Sequence, residues 1–228
     1  MGEYIRARSP EQKQERMQAI MAAADELFAE RPYHQITMGT ISERLGWSRA
    51  GLYKYAATQE EIFLELHSAK NRAWIDELAA ELADAPLPAS EFARIWAEVT
   101  ERHADFLRYQ EIIIAIIESN VTLERLTAFK RDFAAMLPPV IDVLKRQCGV
   151  DEQTAIDLYL RLLYQAPGLY NHHHAAERTR EAMHAAGLPE TTGTFADAYT
   201  AFVEMCLDAQ QNESLGRLPN DSPEATNK

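Results

Sequence analysis

Apolar residues recur at intervals of three and four along almost the whole chain, which is the period of an α-helix with one buried face. The first such segment places four apolar residues on one face: Met17, Ile20, Ala24 and Leu27. The run from Ile112 to Ile117 resembles a strand, but it is isolated among helical patterns, and we interpret it as a buried helix. The pattern predicts an all-α fold.

Capping and chain-breaking residues predict where the helices begin and end. The predicted helices span 10–30, 37–45, 48–55, 58–85, 90–109, 124–148, 151–165, 176–186 and 194–211. Thr37 and Ser48 are suited to cap the second and third helices, and Gly46 to end the second. The pair Pro138-Pro139 predicts a bend or restart within 124–148. No internal repeat is visible.

Composition excludes several classes of protein. The six-residue apolar run at 112–117 is too short to span a bilayer, and residues 1–16 lack the apolar core of a signal peptide. We therefore expect a cytoplasmic protein with no membrane partner. In that compartment Cys148 and Cys206 are expected to be thiols rather than a disulfide.

The net charge of −12 argues against binding polyanions through the overall field of the protein. The charge is uneven, however. Residues 1–60 hold eight basic and eight acidic side chains, whereas residues 61–228 hold 15 and 27. Any contact with an acidic partner is therefore expected within the first quarter of the chain.

The sequence TMGTISERLGWSRAGLYKY, residues 37–55, predicts two short helices joined by a tight turn at Gly46-Trp47-Ser48. Such a helix-turn-helix presents its second helix to the major groove of DNA. Arg is suited to the O6/N7 edge of guanine, and Lys, Tyr and Thr to phosphate oxygens. The candidate DNA-binding residues are Thr37, Ser48, Arg49, Ala50, Tyr53 and Lys54. Taken alone, the motif leaves open that Arg49 and Lys54 form an ordinary solvated face.

A wider segment, residues 16–64, resembles the N-terminal domain of the tetracycline-repressor-like (TetR) family of transcriptional regulators. The matching residues are Ile20, Ala23-Ala24, Leu27-Phe28, Tyr33, Thr37, Ile41, Leu45-Gly46, Ser48, Gly51-Leu52-Tyr53, Tyr55 and Glu60-Glu61. The resemblance covers about fifty consecutive residues with three helices in the same order. The sequence departs from the family in three places. Pro32 replaces the usual Gly, and Ala56-Ala57 replace the usual Phe and polar residue. Gln59 replaces the common Lys. The lost charge at Gln59 predicts modest non-specific affinity for DNA and a shallow salt dependence.

The resemblance implies a homodimer that places the 48–55 helix of each subunit in the major groove. It also implies a C-terminal helical domain for ligand binding and dimerisation. The expected organisation is a DNA-binding domain at 10–57, an effector-binding and dimerisation domain at 58–211, and a disordered tail at 212–228. The expected function is a repressor that binds a palindromic operator and is released by a small-molecule effector.

Two sets of residues in the second domain are candidates for these roles. Large side chains on helices that should face one another are candidates for the effector pocket: Trp96, Phe106, Tyr109, Phe129, Phe133, Met136 and Tyr164. Apolar stripes on two later helices are candidates for the dimer interface: Tyr159, Leu162, Leu163, Phe195, Tyr199 and Phe202. Both sets have an alternative interpretation as ordinary core residues.

The run His172-His173-His174 supports an alternative hypothesis, a helical metal-binding protein or enzyme. Consecutive residues of a helix point to different sides, so a metal site is a weaker interpretation than a role at a helix end or a pocket rim. The sequence has no Gly-x-Ser-x-Gly motif, no phosphate-binding glycine loop and no zinc-finger spacing. We therefore expect no enzyme activity, no metal and no cofactor.

Overall fold

The structure, a computed structural model, describes residues 10–189 and 191–216, with side chains at 11–189 and 191–210. The described residues form eleven α-helices and no strand, which confirms the predicted all-α fold. The helices are α1 (Pro10–Glu30), α2 (Met38–Leu45), α3 (Arg49–Leu52), α4 (Gln59–Glu81), α5 (Ala89–Arg102), α6 (Ala104–Ile112), α7 (Leu123–Met136), α8 (Pro138–Cys148), α9 (Glu152–His173), α10 (Glu177–Ala185) and α11 (Phe195–Gly216).

The third helix is shorter than predicted. It begins after Ser48 as expected but ends at Leu52, not at residue 55. The chain turns there because the backbone N–H of Tyr55 donates to the carbonyl of Leu52, at 2.9 Å. This turn buries Ala56, so Tyr53 and Lys54 lie just after the helix rather than on it.

The isoleucine run is helical but not wholly buried. Ile113–Ile117 forms a π-helix, and Ile113 and Ile117 are buried. Ile114 and Ile116 are exposed, so the prediction of a buried helix is correct only for one side of the run. The wider π-turn changes which side chains share a face, and a count based on the α-helical period misses this.

Two other predicted boundaries differ. The predicted helix 90–109 is broken at His103, which caps α5 before α6 begins. The predicted end near Gln165 is wrong, since α9 passes through Pro167 to His173. Ala166 and Pro167 are both buried. The free energy gained from this packing offsets the loss of the backbone hydrogen bond that a proline inside a helix cannot donate.

The bend predicted at Pro138-Pro139 is confirmed: α7 ends at Met136, and α8 begins with Pro138 in its first turn. The predicted tail begins too early, because α11 continues to Gly216 and residues 212–216 are therefore helical. The remainder of the predicted tail, 217–228, lies outside the described residues.

The described chain packs as two compact units. The first contains the described residues of Met1–Ala73 together with Asp105–Met136, and the second contains Trp74–Ala104 and the described residues from Leu137 onward. The division falls inside α4. The functional boundary predicted between residues 57 and 58 is a different division and stays a prediction.

The first unit is built around a cluster of aromatic rings from α1, α4 and α6. Phe28 packs edge-to-face on Phe63 and Tyr109, with ring centroids 5.3 and 4.9 Å apart. Tyr33 also packs edge-to-face on Phe63, at 4.9 Å. The hydroxyl of Tyr109 donates to Asp25 of α1 at 2.6 Å. These contacts hold the helices that support α2 and α3 in one core.

The second unit packs α5 against α11 and α9 against α8. Trp96 of α5 donates from its indole to the Tyr199 hydroxyl at 3.3 Å. Tyr199 in turn donates to the backbone carbonyl of Leu162 in α9 at 2.9 Å. Among the described helices, none is both long and apolar enough to cross a membrane.

Candidate nucleic-acid interface

Side-chain caps define the α2–turn–α3 segment. Thr37 Oγ1 accepts from the backbone N–H of Thr40 at 3.1 Å, and Thr40 Oγ1 accepts from the N–H of Thr37 at 2.9 Å. Gly46 ends α2 with φ of 66°, a left-handed conformation that glycine adopts without strain. Ser48 Oγ then accepts from the N–H of Gly51 at 3.1 Å and opens α3. The capping roles predicted from the sequence are confirmed.

The inner side of this segment is anchored in the first unit. Ile41 and Leu52 are fully buried, and Gly51 is buried beside them. Burial of a leucine side chain contributes about 1.5–3 kcal/mol. On the outer side of α2, Arg44 pairs with Glu26 and Glu30 of α1 at 3.0 and 2.6 Å. The Arg44 guanidinium is therefore engaged within the protein.

All the candidate DNA-binding residues lie on the outer surface of this segment. Thr37, Ser48, Arg49, Ala50, Tyr53 and Lys54 are exposed, and Tyr53 is 54% exposed despite its large ring. The structure thus brings Arg49 to the start of α3, with Tyr53 and Lys54 just after its end. Within the described residues, no salt bridge engages Arg49.

Gly39, which the sequence did not indicate as functional, sets the position of the Arg49 side chain. A Cβ added at Gly39 would lie 2.6 Å from Nη2 and 3.0 Å from Cζ of Arg49. The guanidinium of α3 therefore lies against the backbone of α2, in space that only glycine leaves open. A side chain that is held in place by such a contact loses less conformational entropy when it binds a partner.

Comparison with known families agrees with this geometry. Residues 20–66 match the model of bacterial regulatory proteins of the tetR family, and residues 68–208 match the tetracyclin repressor-like C-terminal domain. The chain belongs to the TetR family. It is a transcriptional regulator whose helix-turn-helix fits DNA binding.

The relatives are distant in sequence. The chain is 26% identical over 146 residues to the HTH-type transcriptional activator FasR of Mycolicibacterium smegmatis, and the match covers 63% of this chain. It spans 65% of the length of that activator.

Solved structures share the fold. A TetR-family transcriptional regulator from Mesorhizobium loti has a TM-score of 0.55 at 18% identity, with 88% of this chain and 97% of that chain covered. A regulator of the TetR/AcrR family from Thermobifida fusca has a TM-score of 0.52 at 16% identity, with 85% and 96% covered.

The candidate effector-pocket residues divide between the two packing units. Phe106, Tyr109, Phe129, Phe133 and Met136 belong to the first unit, and Trp96 and Tyr164 to the second. Trp96 is fully buried beside Trp74 and Phe92, whereas Tyr164 is 53% exposed. Phe129 and Met136 line a groove of about 310 Å³ in the first unit, which also contains Met21, Ser68 and Ala69.

The candidate dimer residues require a correction. Tyr159, Leu162, Leu163, Phe195 and Tyr199 are at most 1% exposed within their own chain. A side chain covered by its own core cannot also form a subunit contact, so the stripes predicted for the interface are core. Of the six, only Phe202 is partly exposed. The outward apolar side chains of the same helices are Ile156, Leu160, Tyr164, Phe202 and Met205.

The three consecutive histidines lie at the C-terminal end of α9. His172 Nε2 is 3.1 Å from Thr191 Oγ1, and the ring of His174 stacks on Tyr170. Partial positive charge is favourable at a helix C-terminus. His172 and His173 also line a cleft of about 450 Å³ with Arg180 and His184. Within the described part of the chain, no three His, Cys, Asp or Glu side chains could hold a metal ion.

A polar cluster buried in the first unit was missed by the sequence analysis. His67 and Asn71 of α4 are 1% and 0% exposed, and His67 Nε2 lies 2.7 Å from Oε1 of the buried Gln110. Burial lowers the pKa of His67 to about 4, and the nearby charge of Lys130 acts in the same direction. The available signal was a histidine and an asparagine four residues apart on the apolar side of α4.

We predict that Gly39→Ala leaves the protein folded but weakens DNA binding by tenfold or more. The new methyl displaces only the flexible end of Arg49, while alanine favours the helix by about 0.5–1 kcal/mol. Thermal unfolding and fluorescence anisotropy on a DNA fragment retained by the wild-type protein check the two parts. Because the methyl acts through Arg49, Arg49→Ala should weaken binding at least as much as Gly39→Ala does; a larger loss in Gly39→Ala than in Arg49→Ala would contradict this mechanism.

The pKa of His67 predicts a pH dependence of stability. The unfolded chain takes up this proton near pH 6.5 and the folded chain only near pH 4, so stability is complete above pH 6.5 and falls as the pH drops towards 4. The slope from this group is at most about 1.4 kcal/mol per pH unit. His67→Gln keeps a donor for Gln110 but does not titrate, so urea unfolding should show a shallower loss over this range. Equal pH profiles would contradict the assignment.

Proposed function

We propose that the protein is a ligand-responsive repressor that binds a palindromic DNA operator as a homodimer and is released by a small-molecule effector. In this proposal α3 of each subunit enters the major groove. Arg49 contacts base edges, while Thr37, Ser48, Tyr53 and Lys54 contact phosphates and Ala50 faces the bases. The observation that carries the proposal is the exposure of this entire set on a segment whose other side is anchored by Leu52.

The arrangement of charge supports the same surface. Acidic residues dominate after position 60, whereas basic and acidic residues balance before it. Arg44 and Lys70 are paired with carboxylates of the protein. Binding is therefore expected to depend on a few positioned contacts more than on the overall field of the protein. The proposed partner is the genomic DNA of the cytoplasm.

Release by an effector requires a link between ligand and recognition helix. The groove of about 310 Å³ lies in the first unit, which also contains α3. Met21 of α1 lines it, and the same helix pairs with α2 through Glu26 and Arg44. A hundredfold change in DNA affinity needs only about 2.7 kcal/mol of differential effector binding.

The homodimer is supported by outward apolar side chains on α9 and α11. Ile156, Leu160 and Tyr164 recur every four residues along α9, and Phe202 and Met205 lie on α11. Tyr164 and Met205 are 53% and 59% exposed, which is unusual for large apolar side chains on two neighbouring helices. We propose this stripe as the contact with a second copy.

A second candidate function is activation rather than repression, which the name of the related activator FasR favours. In vitro transcription from a bound promoter distinguishes the two directions. For the alternative of a metal site or enzyme at His172–His174, the described residues offer no group of three or more His, Cys, Asp or Glu side chains that could hold a metal ion.

We predict that Arg49→Ala and Tyr53→Ala abolish specific operator binding while the protein stays folded, since both side chains are exposed. The measurement is a gel-shift titration on genomic fragments that the wild-type protein retains, with circular dichroism as the folding control. A matched control is Arg94→Ala, a similarly exposed arginine of α5. Unchanged binding by both test variants would remove α3 as the reading helix.

We predict that Met205→Asp converts the protein to a monomer, because a carboxylate would be buried without a partner in the proposed interface. Analytical ultracentrifugation measures the change. Leu123→Asp is the control, since Leu123 is 80% exposed and lies in the other packing unit. Dimers that persist in Met205→Asp would contradict the proposed stripe.

A further inference from the structure

The buried polar cluster on α4 is incompletely satisfied. His67 and Asn71 are four residues apart, so their side chains share one face of the helix. Both are essentially inaccessible to solvent, at 1% and 0% exposed. Among the described residues, neither His67 Nδ1 nor either amide atom of Asn71 has a hydrogen-bond partner.

The chemistry of each unpartnered atom follows from its neighbours. Gln110 Oε1 can only accept, so at 2.7 Å it receives the proton of His67 Nε2. The neutral ring then has a bare acceptor at Nδ1. Asn71 offers one acceptor and one NH₂ donor in the next turn of α4. Together the pair presents both kinds of hydrogen-bonding group.

Such a pair disfavours the folded state. A buried polar group without a partner loses its hydration and gains nothing in return. An apolar residue of similar shape would pack at either position without this penalty. The pair is therefore better explained by an occupant that completes its hydrogen bonds than by a contribution to folding.

Aromatic rings connect the pair to the groove of the first unit. Phe106 and Phe129 pack on the His67 imidazole, with ring centroids 5.3 and 5.5 Å away. Phe129 also lines the groove of about 310 Å³, together with Met21, Ala69 and Met136. Phe129 therefore contacts both the groove and the His67 ring.

The charges nearby limit the kind of occupant. At the groove Arg125 pairs with Glu65, and Arg72 and Asp132 add one charge of each sign. Lys130 pairs with Glu118 and lies over the Phe129 ring at 5.6 Å. The His67 ring itself is neutral. The pair thus supplies no cation to balance a carboxylate and no anion to balance an amine.

We propose that His67 and Asn71 bind the head group of the effector, and that this head group is uncharged and both donates and accepts hydrogen bonds, as a carboxamide or hydroxyl does. The apolar body of the ligand lies in the groove lined by Phe129. This inference rests on the proposed ligand response and specifies the chemistry of its effector.

The test uses two series of probes, one with an octyl and one with a phenylethyl body, each carrying a carboxamide, hydroxyl, carboxylate, ammonium or methyl head. Binding is measured by calorimetry on the full chain without DNA. The amide or hydroxyl members of at least one series should bind roughly tenfold more tightly than their charged and methyl counterparts. Asn71→Leu should abolish this preference, while Ala73→Leu, an exposed site on the same helix, should retain it. Binding that ignores the head group, or no binding in either series, overturns the proposal.

Stability gives a second measurement that needs no ligand. Asn71→Leu should raise the Tm of the free protein by roughly 2–4 °C, because it removes an unsatisfied buried amide. A lower Tm would mean that the amide is satisfied within the fold, and would overturn the proposal.

A separate measurement distinguishes the head-group proposal from the proposed ligand response. DNA binding with and without the bound probe tests only the ligand response. Probe binding that depends on Asn71 but leaves DNA affinity unchanged would support the head-group site and contradict the proposed release mechanism.

Discussion

A helix of one turn has no stability of its own, because so few hydrogen bonds cannot offset the entropy lost in forming it. The proposed DNA-reading helix α3 has only four residues, Arg49–Leu52, and it depends on the burial of Leu52 in the core of the first unit. The same core contains the packed rings of Phe28, Phe63 and Tyr109. The position of the outer surface of α3 therefore depends on the packing of α1, α4 and α6 in the first unit.

The same dependence explains how a small ligand could change DNA binding. A groove and a buried polar pair lie in the unit that holds α3, and both involve α4. Close-packed cores transmit displacement because they have few voids to absorb it. A ligand that moves Phe129 would therefore press on the helices that hold α2 and α3. This coupling between the ligand and α3 does not require a conformational change in the second unit.

Local features of the fold could be predicted from the sequence, whereas contacts between distant segments could not. Thr37, Gly46 and Ser48 act within four residues of themselves, so their capping roles followed from residue type. The stripe containing Tyr159 and Leu162 was correctly recognised as apolar and wrongly given to a subunit interface. Periodicity identifies the face that is covered, but not whether the same chain or a second copy covers it. Gly39 and Gln110 were missed because each acts through a residue of another helix.

The central claim is that two copies of one exposed segment, anchored from behind, read the two halves of a DNA site. Selection of bound duplexes from a random pool tests it most directly. The account predicts an enriched sequence with two-fold symmetry whose half-sites are centred about one helical turn, roughly 34–36 Å, or a small multiple of it apart. A pool without enrichment, or an enriched sequence with a single unrepeated half, would contradict it.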